Sequence, residues 1–212
     1  MTRHKPVGAV RLRVVPSDLS VAMARCRAHH RHLPRVIGGL CAFEVLRMDR
    51  HHPQGSLFGP RIGEPCAWAI VGRAVARVLD EDGWSELTRS ICPEGAPPGC
   101  ASALLGAVAR WSQESGDPVV TYTLAHESGA SLRAAGWIAV GTTRGGQWNG
   151  RSRARAIRPE LIAAPKIRWV PPHVLPLAVA RGWTRERKRK PRNLPSIAPV
   201  RGWTPTTAEV AA

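Results

Sequence analysis

The sequence is short of acids, of tyrosine and phenylalanine, and of long apolar runs. Aspartate and glutamate number 15 against 31 lysines and arginines, a formal net charge of +16 over 212 residues. That imbalance excludes no fold, but it attracts polyanions and favours solubility. The five cysteines, Cys26, Cys41, Cys66, Cys92 and Cys100, are odd in number and form no CxxC pair. This argues against a secreted disulfide framework and for a reducing compartment. No apolar run approaches the ~18 residues of a membrane span. Arg11 and Arg13 interrupt the apolar residues that a signal peptide keeps together. The expectation is a cytoplasmic protein with no membrane partner. One tyrosine and two phenylalanines stand beside eight tryptophans; Trp111 and Trp137 are expected in the core.

The length fits one domain with tails. A core of ~150 residues buries roughly 70% of its unfolded surface, so stability requires neither metal nor disulfide. Residues 1–7 read as a tail and 8–169 as the domain. Residues 170–212 read as a basic tail rich in Pro and Arg and mostly disordered, in which Arg181-Gly-Trp-Thr184 recurs as Arg201-Gly-Trp-Thr204.

Val10, Leu12 and Val14 alternate with arginines, the pattern of a half-buried strand. Ser17 or Asp18 then caps a helix with Leu19, Ala22, Met23 and Cys26 on one face. A strand is expected within 36–46 and a loop over 49–65. Asp82-Gly83, between an apolar run and the strand Trp84–Cys92, signals a hairpin, because a tight turn needs positive φ. The turn Pro93–Gly99 leads to a helix over 100–114 with Leu104, Leu105, Val108 and Trp111 inward. Val119–Leu124 reads as a strand, 128–135 as a short helix closed by Gly136, and 137–140 as a strand. Arg144-Gly-Gly146 is a turn before a strand rich in arginine.

Strand, turn and helix in this order place free N–H groups at the helix start, where they favour an anion such as a cofactor pyrophosphate. The candidates are Gly99, Cys100, Ala101 and Ser102. Pro97 and Pro98 contribute no N–H there, and an ordinary connecting turn is the plainer reading. Glu86 on its strand is a candidate general base toward an amine, or else an ion-pair partner of Arg89. Tyr122, the only tyrosine, is a candidate proton donor to a leaving thiolate, or else a structural residue. His29, His30 and His32, with the later His126 and Glu127, are candidate metal ligands without a zinc-type spacing. Trp148 among Arg144, Arg151, Arg153 and Arg155 offers a base-stacking ring in a basic setting, a candidate nucleic-acid surface.

The element order resembles the GNAT N-acetyltransferase fold, a mixed, mostly antiparallel α/β sheet flanked by helices. The words His29–His32, Ala69–Arg77, Glu86–Arg89, Thr121–Thr123 and Gly129–Trp137 resemble a phage- and prophage-borne group of acetyltransferase-like proteins. That group is similar to the phage Mom DNA-modification proteins. The resemblance implies a transferase acting on the exocyclic amine of adenine in DNA, shielding it from restriction inside a bacterial host cell. It also implies acetyl-CoA or a related acyl donor, a possible metal ion, and DNA as partner. Leu132 stands where many members of the wider fold carry a general-acid tyrosine, which leaves Tyr122 or Ser131 for that role. Two other readings remain open. One is an acetyl-CoA-dependent N-acetyltransferase on a protein, RNA or small-molecule amine; the other is a non-catalytic, basic nucleic-acid-binding accessory protein.

Overall fold

A computed structural model describes residues 10–30, 38–48, 63–144 and 164–183. The strands are β1 (Arg11–Ser17), β2 (Cys41–Met48), β3 (Glu64–Arg73), β4 (Ser85–Ile91), β5 (Val119–Leu124), β6 (Ile138–Thr143) and β7 (Lys166–Val170). The helices are α1 (Leu19–His29), α2 (Arg77–Glu81), α3 (Cys100–Ser115), α4 (Ala130–Ala134) and α5 (Leu175–Ala180), the last entered through a 3-10 turn at Pro172–Val174. The strands form one seven-stranded sheet in the order β1-β2-β3-β4-β5-β7-β6. Every pairing is antiparallel except β4 with β5. The expected mixed, mostly antiparallel α/β sheet with flanking helices is what the structure shows.

Burial on both faces marks β3 as central: Ala67 to Val71 are all buried. Ala67, Ala69 and Val71 pack with Leu104, Leu105 and Val108 of α3, and with Leu132 of α4, on one face. Trp68 and Ile70 pack with Ala22 and Cys26 of α1 on the other. Asp18 starts α1, its carboxylate accepting from Ser20 N at 2.7 Å and Val21 N at 3.4 Å. Gly116 ends α3 at φ 79°, its N–H donating to Ser112 O.

Several expectations are corrected. Asp82-Gly83 closes no tight hairpin, although β3 and β4 are antiparallel as expected. The chain leaves β3 at Arg73 and makes one turn of helix, α2, held by an Arg77–Glu81 ion pair at 2.6 Å. Gly83 at φ 74° then brings it back to β4. The 36–46 strand begins at Cys41, with residues 36 and 37 outside the described set. Trp137 is buried, but Trp111 is half-buried and meets Phe43 edge-on, with ring centroids 6.4 Å apart. Packed chain does not stop at 169: Val170, Val174 and Ala178 are buried over the β5–β7 side of the sheet. The expected arginine-rich strand after Gln147 lies outside the described residues; the strand that the structure does describe is β7, inserted between β5 and β6.

Candidate active site

Parallel pairing of β4 with β5 lasts for two positions, Ser85↔Val119 and Glu86↔Val120. Beyond them the strands part, and the Leu87 carbonyl accepts from the buried Thr121 hydroxyl at 2.9 Å instead of from a ladder N–H. The sheet is therefore split along a seam that opens toward the C-terminal ends of both strands.

A bulge sets which side chains face the opening. Val71 pairs with Leu87 and Ile70 with Arg89, which leaves Thr88 as an extra residue on β4. Strict alternation would put residues 86 and 89 on opposite faces; the extra residue puts them on the same one. The Thr88 hydroxyl donates to Ile70 O at 3.1 Å, which fixes the bulge. Glu86 and Arg89 thus share the face covered by α1 on one side and by residues 171–183 on the other.

Glu86 is half-buried and its carboxylate accepts the Val75 N–H at 2.9 Å. Burial raises its pKa, against the pull of that hydrogen bond and of the Arg89 and Lys166 charges. Tyr122 stands on the same face of β5. Burial raises the pKa of its phenol as well, opposed by a hydrogen bond from Arg168, its register partner on β7. Glu86 is close enough to raise it further. The Arg168 guanidinium lies 5.8 Å from the Tyr122 ring centroid and 3.9 Å from that of Trp183. Its buried Nε has no hydrogen-bond partner among the described residues. A proton acceptor, a phenol and a cation clamped between two rings therefore line one patch beside the seam.

Ser131 does not join this patch. It is exposed on α4, which packs with α3 beneath the other face. At the start of α3, Gly99 has φ 89° and there is no acid in the first turn. The Cys100 N–H is taken by Pro97 O at 3.3 Å, and the Ser102 hydroxyl by Gly99 O at 3.0 Å. The N–H groups of Gly99, Ala101 and Ser102 have no acceptor among the described residues, a donor set that fits an anion. The Cys100 side chain is buried, its Sγ 3.4 Å from that of Cys66. Burial chiefly pushes the Cys66 thiol up to about 12, so it is not a thiolate at neutral pH.

His29 ends α1, and the His30 N–H caps it on Cys26 O at 3.0 Å. Glu127 accepts from Leu124 N at 3.0 Å. Among the described residues no three His, Cys, Asp or Glu side chains gather as a metal site; His32 lies outside them. Arg144 is exposed just after β6, while Trp148, Arg151, Arg153 and Arg155 lie outside the described residues. Sequence reasoning missed Arg168, Lys166 and Trp183. The alternation of Ile167 and Trp169 with Lys166 and Arg168 is the signal that marks them as a strand with one polar face.

No family model matches the sequence, and no curated protein matches it. Solved structures do. The chain is similar to the ribosomal-protein-S18-alanine N-acetyltransferase from Escherichia coli, at 12% identity and a TM-score of 0.47, over 76% of this chain and 93% of that one. It is similar to the polyamine N acetyltransferase of Drosophila melanogaster at 15% identity and a TM-score of 0.47, over 76% and 99% of the two chains. An N-acetyltransferase from Staphylococcus aureus Mu50 aligns at 8% identity and a TM-score of 0.47, over 76% and 97%. No helix among the described residues is long and apolar enough to cross a membrane.

Proposed function

We propose that this chain is an N-acyltransferase that works at the split between β4 and β5. The observation that carries the reading is the patch beside the seam: a half-buried carboxylate, Glu86, and a phenol, Tyr122, on adjacent strands where the ladder has opened. Amine acylation needs one group to take a proton from the attacking nitrogen and another to give one to the leaving group. Glu86, with a raised pKa, is the acceptor, directly or through one water. Tyr122, held by Arg168, is the donor. The N–H groups of Gly99, Ala101 and Ser102 would hold the phosphates of an acyl-CoA. The donor supplies an acyl thioester, and the products are an amide and a free thiol.

Acyl transfer is also what the names of the similar structures say of those proteins. The test is labelled acetyl-CoA incubated with polyamines, peptides, RNA and DNA in turn. Transfer to one class is expected, falling ~10²–10⁴-fold in Glu86→Gln. No transfer to any class by folded protein would sink the reading and leave a binding protein.

The acceptor reading favoured by the net charge of +16 is DNA, at the exocyclic amine of adenine. Such a base must leave the duplex or be single-stranded, and basic side chains offset its phosphates. Mass spectrometry of nucleosides from DNA of expressing cells decides it: a modified deoxyadenosine is expected, and unmodified DNA beside active transfer to another amine excludes it.

A further inference from the structure

Among the described residues, Nε of Arg168 is the buried side-chain polar atom left with no hydrogen-bond partner. A guanidinium carries its N–H donors in a fixed fork, and burial usually leaves none of them idle. What Arg168 keeps instead is ring contact. Its Cζ lies 3.9 Å from the ring centroid of Trp183 and 5.8 Å from that of Tyr122, its register partner on β5. A cation this close over an indole is attracted to it, more so out of water. The stack, and not a full set of hydrogen bonds, therefore sets where the guanidinium lies.

Trp183 is itself firmly seated. Its N–H donates to Ala178 O at 3.1 Å and that of Gly182 to Val179 O at 2.8 Å, with Gly182 at φ 73°, the pair of bonds that closes a helix on a left-handed glycine. Its ring lies 4.8 Å from that of the buried Trp84. Its carbonyl packs against Gly141 of β6, where a Cβ would come within 2.8 Å. Arg181, two residues earlier, grips the Asp82 carboxylate with both terminal nitrogens, at 2.5 and 2.6 Å.

We propose that Trp183 is a positioning residue for Tyr122, acting through Arg168. The indole orients the guanidinium, and the guanidinium holds the phenol oxygen. The charged groups that face the phenol are Arg168 from β7 and Glu86 from β4. Arg89 and Lys166 lie beside Glu86, and Arg181 stands 5.8 Å from the Trp183 ring. Arg168 bonds the phenol and favours its ionised form, so a guanidinium that loses its seat leaves Tyr122 a poorer proton donor. The chain of contacts is independent of the chemistry; its use in transfer rests on Tyr122 being the donor.

Tyr122 is the only tyrosine in the chain, so protein made with tyrosine isotope-labelled at Cζ gives one NMR signal for the phenol. Trp183→Leu keeps apolar bulk against Trp84 and removes the ring, whereas Trp183→Phe keeps a ring. Arg168→Gln is expected to move the signal at neutral pH and to raise the pH at which it titrates. Trp183→Leu is expected to move it the same way, with no further change in the Arg168→Gln background, and Trp183→Phe to stay close to the parent. Arg168→Lys keeps the charge without the flat face, so it should match Trp183→Leu and gives the same reading if that variant does not fold. In transfer assays the Leu variant should lose ~10-fold in kcat, short of the ~10²–10⁴-fold of a lost proton donor, at unchanged KM for acyl-CoA. Like behaviour of the Leu and Phe variants, an equal shift with and without Arg168, a parent-like Arg168→Lys, or an unchanged kcat in an active enzyme each overturns the proposal. The expected NMR pattern in a folded protein that transfers no acyl group would uphold the positioning and remove the acyl-transfer reading alone.

Discussion

At Glu86 two effects compete, and their balance sets a pH dependence. Burial raises the carboxyl pKa above its ordinary value of 4.5, while the Val75 N–H and the Arg89 and Lys166 charges pull it down. Only the carboxylate accepts a proton, so the rate should climb as pH rises through a pKa lying above 4.5, and this acid limb should vanish from the residual rate of Glu86→Gln. Stability has the opposite sign. The folded form keeps its proton to higher pH than the unfolded one, so the stability it contributes is full below 4.5 and lost as pH rises through the folded pKa. His173 behaves otherwise. Burial lowers its pKa from 6.5, and its Nε2 lies 3.0 Å from the Ser112 hydroxyl, which bonds Asp117 O at 2.6 Å. The stability tied to the neutral ring is present above 6.5 and lost as pH falls through the lowered value. In His173→Gln the drop in melting temperature between about pH 7 and 5 should shrink. Gly129 is the third residue with a sharp consequence. It sits at φ 61°, and a Cβ there would lie 2.5 Å from Trp169 Cζ2. Gly129→Ala should cost ~2–4 kcal/mol in a denaturant melt, from backbone strain plus displacement of the ring.

Elements were legible in the sequence where local pattern and tertiary packing agree. The α3 range follows from apolar spacing and two flanking glycines, and β5 from β-branched residues around the tyrosine. The tight hairpin at Asp82-Gly83 was misread because Arg77 and Glu81 also make a good helical pair, and helix won in the connection. The bulge at Thr88 left only a faint trace in the sequence, the polar Arg89 where alternation from Leu87 calls for an apolar residue; pairing with β3 exposes the extra residue. For the same reason the Glu86 strand was found but not its neighbour Arg168, which a strand closing from far along the chain brings beside Tyr122. Ser131 was drawn into the site by its place in a motif, whereas its helix packs on the other face. At α3, a carboxylate in the first turn is compatible with the helix dipole and repels a phosphate. Ser102→Glu should therefore leave the melting temperature unchanged and raise the KM for acyl-CoA ~10-fold or more, measured by initial rates. An unchanged KM would remove the helix start from the donor site.

For the whole molecule, the surplus of positive charge, +16 over the chain, bears on partners and not on the fold. If nucleic acid is the acceptor, its affinity should fall linearly in log–log form with salt, at a slope of about −0.7 to −0.9 per neutralised phosphate. A nearly flat dependence, measured by fluorescence anisotropy on labelled single strands, would argue for a small or peptide amine.

The seam has a mechanical consequence. In the ladder the block β1 to β4 and the block β5 to β7 meet through two paired positions, with the Thr121 hydroxyl on Leu87 O as a further link, so the sheet is two plates joined by a narrow weld. Amide exchange should report it. Protection at Val119 and Val120 should be lost earlier on mild heating than at Ile70 or Val71, deep within the first plate. Substrate bridging both plates should act as a splint and slow that exchange.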